Sequence, residues 1–233
     1  PLTILNVSRK NRNNNKFLED LKFITKDVFV PIAAGGGIDT IQYARELFNS
    51  GADKIVLNSS LFTKPYLLDD LTNLYGQQSI IASIDLKSNN GDYSIVIESG
   101  QKIINEKITS LFNLIDPEKI GECYLNSIDR DGTGQGYDLK ILNFIPNNWN
   151  IPIILSGGAG NYKHLMEGLK DHRVDAVSTA HLFNFVGDGL KKSRESLLLN
   201  GINLAYWPKI DELKILYTDK LPLLLEKYKL WKI

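Results

Sequence analysis

The sequence is poor in several residue types. Its 233 residues hold one cysteine, one methionine, three histidines and three tryptophans, with no surplus of either charge sign. A single cysteine, Cys123, excludes an internal disulfide, and its place inside an apolar run predicts a buried packing role. A reducing cytosol fits that usage. His164, His172, His181 and Cys123 show no paired ligand spacing, so no metal is expected, and no cofactor is implied. Lys plus Arg (27) balances Asp plus Glu (27), which leaves no net field to draw in nucleic acid or an anionic membrane. No apolar stretch approaches the roughly 18 residues of a membrane span, and no signal-peptide pattern opens the sequence. The expectation is a soluble, cytoplasmic protein whose partners are recognised locally.

Hydrophobic residues make up 43% of the chain, enough for a large core, and α/β barrels of this length commonly form one domain. The most informative stretch is Tyr124 to Asp138, YLNSIDRDGTGQGYD, a short apolar run that empties into carboxylates and three glycines. Ser79 to Asp85 ends the same way, and Pro31 to Gly37 and Pro152 to Gly158 end in Gly-Gly. Strands are also expected at Leu2 to Val7, Phe29 to Ala34, Lys54 to Asn58, Ile151 to Ser156 and Asp175 to Thr179. Between them, helical spacing marks 17–24, 41–48 with Asp39 as N-cap, 66–75, 108–115, 139–145, 162–169 and 187–199. Asp92 to Ile97 and Lys102 to Ile104 read as a hairpin around Ser99-Gly100-Gln101.

If the strands are parallel, their carboxyl ends form one face where charges and bare backbone amides converge on a ligand. Within the chain there is an echo: Val30-Pro31-Ile32, Gly36-Gly37, a helix and Asp53-Lys54-Ile55-Val56 resemble Ile151-Pro152-Ile153, Gly157-Gly158, a helix and Asp175-Ala176-Val177-Ser178. A barrel of related halves and two ordinary βαβ units both account for it.

The motifs PIAAGGGI (31–38), SGADKIVLNS (50–59), ASIDLK (82–87), NSIDRDGTGQGYD (126–138) and SGGAG (156–160), in that order, resemble the cyclase subunit family of imidazole-glycerol-phosphate synthase. The resemblance covers about Leu2 to Asn203. It implies a (βα)8 TIM barrel, of the α/β class, that binds a substrate with two phosphates across its strand ends. It also implies a glutaminase partner, in a heterodimer, that pipes ammonia up the barrel from the opposite face. Gly36, Gly37, Asn58 and Ser59 match one phosphate cradle; Gly132, Gly157, Gly158, Ala180 and His181 match the other. Glycines let backbone amides approach an oxyanion, although glycines at such places also simply turn the chain. Asp85 matches the general acid/base. Asp129 and Asp131 either position hydroxyls or, for Asp129, hold the glycine-rich loop. Lys54 and Glu122 match two members of the charged ammonia gate, or are a pair of surface charges.

The sequence departs from that family at Asn6, where an aspartate is expected, and at His181, where a serine is expected. The family's first strand has no counterpart before Pro1. The runs GNYKHLMEGL (160–169) and VDAVSTAHLFNFVGDGLKK (174–192) resemble paralogues tied to acetamidino sugars of surface polysaccharides, which implies a sugar-amidating enzyme as a further partner. An authentic cyclase of histidine biosynthesis and a non-catalytic scaffold barrel are the competing readings. Residues 1–208 are expected to form the barrel and 209–233 an extension. Within it, residues 213–218 with Asp219 either fill the place of the first strand or form a surface or docking element; upstream residues are the other source of that strand.

Overall fold

The computed structural model describes residues 1–8, 11–104, 108, 114–147, 149–180, 182 and 189–204. His181, most of the helix expected at 108–115, and the tail with residues 213–218 and Asp219 lie outside them. The chain alternates strand and helix: β1 (Leu2–Leu5), α1 (Asn14–Thr25), β2 (Ile32–Gly35), α2 (Ile41–Asn49), β3 (Lys54–Leu57), α3 (Ser59–Thr63), α4 (Pro65–Tyr75) and β4 (Ile80–Asn89). The hairpin strands β5 (Asp92–Ile97) and β6 (Lys102–Ile104) follow, then β7 (Glu122–Ser127), β8 (Ile153–Ser156), α5 (Tyr162–Lys170), β9 (Ala176–Val177) and α6 (Gly189–Leu199). The strands β1-β2-β3-β4-β7-β8-β9 lie side by side in that order, all parallel. β5 runs antiparallel against the far half of β4, and β6 against β5. The sheet is the curled parallel sheet of a (βα)8-type barrel, as the alternation predicts.

Alternate strand residues face opposite ways, and the core separates accordingly. Ile32, Ala34, Ile55, Leu57, Ile80, Ala82, Ile84, Cys123, Leu125, Ile153 and Leu155 share one large cluster with the helices. Ala33, Val56 and Ile81, with Tyr124 packed on them, form a second, small cluster on the other side of the sheet, the bore. By the same parity Lys54, Val56 and Asn58 form one bore-facing column, Ile81, Ser83 and Asp85 another, and Glu122, Tyr124 and Asn126 a third. The register sets Ile81 beside Glu122, Ser83 beside Tyr124, and Asp85 beside Asn126. Cys123, fully buried on the helix side, fills the packing role expected of it. Burial pushes its thiol pKa far up.

Local chemistry corrects three expected boundaries. Phe29 is 98% exposed and β2 starts only at Ile32, because β1 and Asp53 engage the chain from Pro31 onward. Thr40, not Asp39, caps α2: its Oγ1 accepts from Tyr43 N at 3.2 Å, whereas the backbone carbonyl and the carboxylate of Asp39 accept from Lys64 Nζ. Residues Leu139–Phe144 wind as a 3-10 helix rather than an α-helix, opened by Asp138, whose Oδ1 accepts from Lys140 N.

The internal echo is a structural repeat. Asp53 N donates to Ile32 O at 2.8 Å while Asp53 Oδ2 accepts from Ile32 N at 2.8 Å. Asp175 does the same to Ile153, at 3.0 and 2.8 Å. Leu2 N donates to Pro31 O, and Cys123 N to Pro152 O, each at 2.9 Å. The matching chain positions therefore clamp their strands identically. Asp53→Ala and Asp175→Ala each remove an acceptor from the N–H of a buried isoleucine, so each is expected to cost about 1 kcal/mol. In urea melts both midpoints should fall, and the double variant should lose close to the sum. Midpoints equal to wild type would show that water replaces the clamps at no cost.

Candidate functional site

At the carboxyl end of the bore, Asp85 sits between two amides. Asn126 Nδ2 donates to its Oδ1 at 3.0 Å, and Asn58 Nδ2 donates to its Oδ2 at 3.3 Å and to Ser83 O at 3.0 Å. The chain of contacts continues outward. Ser59 Oγ donates to Asn58 Oδ1 at 3.2 Å and accepts from Glu98 N at 2.9 Å, which ties the hairpin to the site. Burial raises the Asp85 pKa above its ordinary 3.8; the Asn126 hydrogen bond pulls it down, the charge of Asp131 pushes it up, and the Asn58 contact lowers it again.

At the opposite end of the same bore columns, Lys54 Nζ donates to Glu122 Oε1, joining β3 to β7. Both side chains are partly buried. Between this ion pair and Asp85 lies the ring of Tyr124 against Ala33, Val56 and Ile81. Its hydroxyl meets Ser156 Oγ at 2.9 Å and Ser178 Oγ at 2.8 Å, so hydroxyls from β7, from β8 and from just beyond β9 form a polar seam inside the barrel.

The Gly-Gly turns have backbone that only glycine adopts readily. Gly36 and Gly37 have φ of 107° and 73°, and Gly157 and Gly158 have 90° and 104°. A Cβ on Gly36 would lie 2.3 Å from Asn6 O, and one on Gly157 would lie 2.4 Å from Ser127 O. The two turns press on equivalent strand ends, β1 and β7. Gly132, φ 73°, has open space where a Cβ would stand. Ala180 is exposed just beyond β9, and its neighbour Thr179 donates to Ala159 O at 3.4 Å.

Two carboxylates of the glycine-rich loop take different parts. Asp129 Oδ2 accepts from Ser88 N at 2.6 Å, which fastens the loop to the extension of β4. Asp131 is exposed and acts on Asp85 through its charge. Sequence reasoning missed Asn126 and the hydroxyl seam, although the two-residue spacing of Glu122, Tyr124 and Asn126 carried the signal. It also missed Arg12, whose guanidinium rests on Gly37: a Cβ there would lie 1.9 Å from Arg12 Nη1. Among the described residues no group of three or more His, Cys, Asp or Glu is arranged to hold a metal, and no helix is long and apolar enough to cross a membrane.

The order of influences on Asp85 gives a direct check. In a carbon-detected titration its carboxyl should titrate above 3.8. Asn126→Ala should move the midpoint further up by removing a donor to the carboxylate, and Asp131→Asn should move it down by removing a like charge. Since the folded pKa lies above the unfolded one, the ionised carboxyl costs stability. That cost is absent below the unfolded pKa and grows as pH rises through the folded one. A midpoint at or below 3.8, or shifts of opposite sign in the two variants, would contradict this arrangement.

Residues 2–187 match the model of a family described as histidine biosynthesis protein. The chain is 47% identical over 208 residues to a protein of Parasynechococcus marenigrum provisionally named imidazole glycerol phosphate synthase subunit hisF2, covering 89% of this chain and 77% of that one. It is 34% identical over 203 residues to imidazole glycerol phosphate synthase subunit HisF of Pelodictyon phaeoclathratiforme, and equally to that of Chlorobaculum tepidum, with 87% of this chain and 81% of each relative aligned. With its barrel sheet, its paired Gly-Gly turns and these similarities, the chain belongs to the histidine biosynthesis protein family, in the group of the imidazole glycerol phosphate synthase cyclase subunit HisF.

Proposed function

We propose that the chain is the barrel subunit of a glutamine-dependent amidotransferase, taking ammonia from a glutaminase docked at the strand-start face and using it at the strand ends. The observation that carries this reading is a single bore with the Lys54–Glu122 pair at one end and, at the other, the buried Asp85 carboxyl, whose pKa is raised. Ammonia is small and neutral, so it needs only a path past the ion pair and the hydroxyls of Tyr124, Ser156 and Ser178. Asp85 then moves protons as the amine attacks. A substrate with phosphates at both ends would lie between the Gly36-Gly37 turn, with Asn58 and Ser59, and the turn made by Gly132, Gly157, Gly158, Ala180 and His181.

Two acceptors fit this frame. The cyclase substrate of histidine biosynthesis is supported by the names of the relatives and by the two amides that hold Asp85. A nucleotide-linked or surface-polysaccharide sugar, with a separate sugar-amidating enzyme, is favoured by Asn6. That side chain is buried at the end of β1 and accepts from Ser8 N at 3.3 Å, so a neutral amide stands where the family resemblance implies a second carboxylate.

Mixing the protein with its glutaminase should give a complex on sizing and a rise in glutaminase activity. No complex and unchanged activity would sink the amidotransferase reading as a whole. In the complex, Asp85→Asn should reduce turnover of the two-phosphate cyclase substrate by about 100-fold or more, with glutamine or ammonium salt as nitrogen source, and leave glutaminase stimulation intact. Absence of cyclase turnover in the wild-type complex would favour the sugar acceptor.

A further inference from the structure

Arg12 lies in the loop between β1 and α1, where its backbone is closely defined. Asn11 before it has a left-handed φ of 52°, and Asn13 after it caps α1 by accepting from Lys16 N at 2.9 Å. The side chain lies over the Gly36-Gly37 turn. A Cβ at Gly37 would lie 1.9 Å from Arg12 Nη1, 2.7 Å from Cζ and 3.0 Å from Cδ, so the guanidinium rests on bare glycine backbone. Among the described residues no carboxylate pairs with it, whereas Lys16 pairs with Asp20 and Lys64 with Asp39.

A second observation points to an absent acceptor. Tyr43, in the first turn of α2, is 5% exposed, and its hydroxyl is buried without a hydrogen-bond partner. Burial raises its pKa, and the nearby Arg12 charge works against that rise. A buried O–H donor with no acceptor costs free energy, so a further acceptor admitted to this neighbourhood of Arg12 would be stabilising.

We propose that Arg12 is a phosphate-reading residue of this chain, its guanidinium closing over a phosphomonoester held at the Gly36-Gly37 turn. This rests on the phosphate reading of that turn and adds to it the residue that supplies the charge. Backbone amides alone accept any small oxyanion, whereas a guanidinium fork adds two parallel charge-assisted hydrogen bonds that suit a phosphate dianion. The end of the substrate bound here is thus chosen for its charge.

The test uses the full chain labelled with 15N-glycine and titrated with inorganic phosphate at constant ionic strength. Gly36 and Gly37 amides report this turn, and Gly157 and Gly158 report the other. In wild type the Gly36 and Gly37 signals should move with phosphate. In Arg12→Gln their midpoint should rise about tenfold or more while Gly157 and Gly158 are unchanged, and Arg12→Lys should fall between. An unaltered Gly36 and Gly37 midpoint in Arg12→Gln overturns the role of Arg12 and leaves the phosphate turn standing. Equal weakening at both turns also overturns it, since that would be a general charge effect. No response of Gly36 and Gly37 in wild type overturns both the turn and the residue.

Discussion

Parallel pairing in a fixed register is the constraint from which the site follows. Neighbouring side chains on one strand face opposite sides, so once Ile81 stands beside Glu122, Asp85 must stand beside Asn126 and both must face the bore. A slip of β4 by one residue would turn Asp85 into the helix layer and expose Ile84 to the interior, and a slip of β7 would do the same to Asn126 and Tyr124 in exchange for Leu125 and Cys123. The penalty for that exchange is the burial of a carboxylate among aliphatic side chains. The Asp53 and Asp175 clamps hold the register at two places, and the same hydrogen bonds that close the sheet also aim the chemistry.

The environment of Asp85 sets opposed influences against one another. Burial favours the protonated form, the Asn126 and Asn58 amides favour the carboxylate, and Asp131 adds a like charge from the rim. Because the two amides are neutral, they orient the carboxyl without fixing its charge, as a lysine or arginine would. Lys54 and Glu122, by contrast, neutralise each other at the far end, separated from Asp85 by the Tyr124 ring and its apolar neighbours. The buried carboxyl and the ion pair are thus kept apart by one aromatic layer.

Much of this was legible in the sequence. Apolar runs ending in carboxylates and glycines located the strands and the end of the sheet where Asp85 and the Gly-Gly turns gather, and the repeated Pro, Gly-Gly and Asp spacing marked the two related units. The errors arise where a single neighbour decides the outcome. Thr40 and Asp39 are both good caps, and the reach of Lys64 takes the latter away. Phe29 has strand composition but stands clear of the sheet. Arg12 was beyond sequence reasoning because it meets Gly37 across 25 residues of chain, through a loop whose course no periodicity encodes.

Cys123 has a use apart from packing. It is the chain's only thiol, it is completely covered between β7 and the helices, and its burial suppresses the thiolate. An alkylating reagent can therefore reach sulfur only when the helix layer lifts from the sheet. The rate at which the intact protein takes up label becomes a clock for the opening of the barrel wall. It is read at one atom against no background from other cysteines.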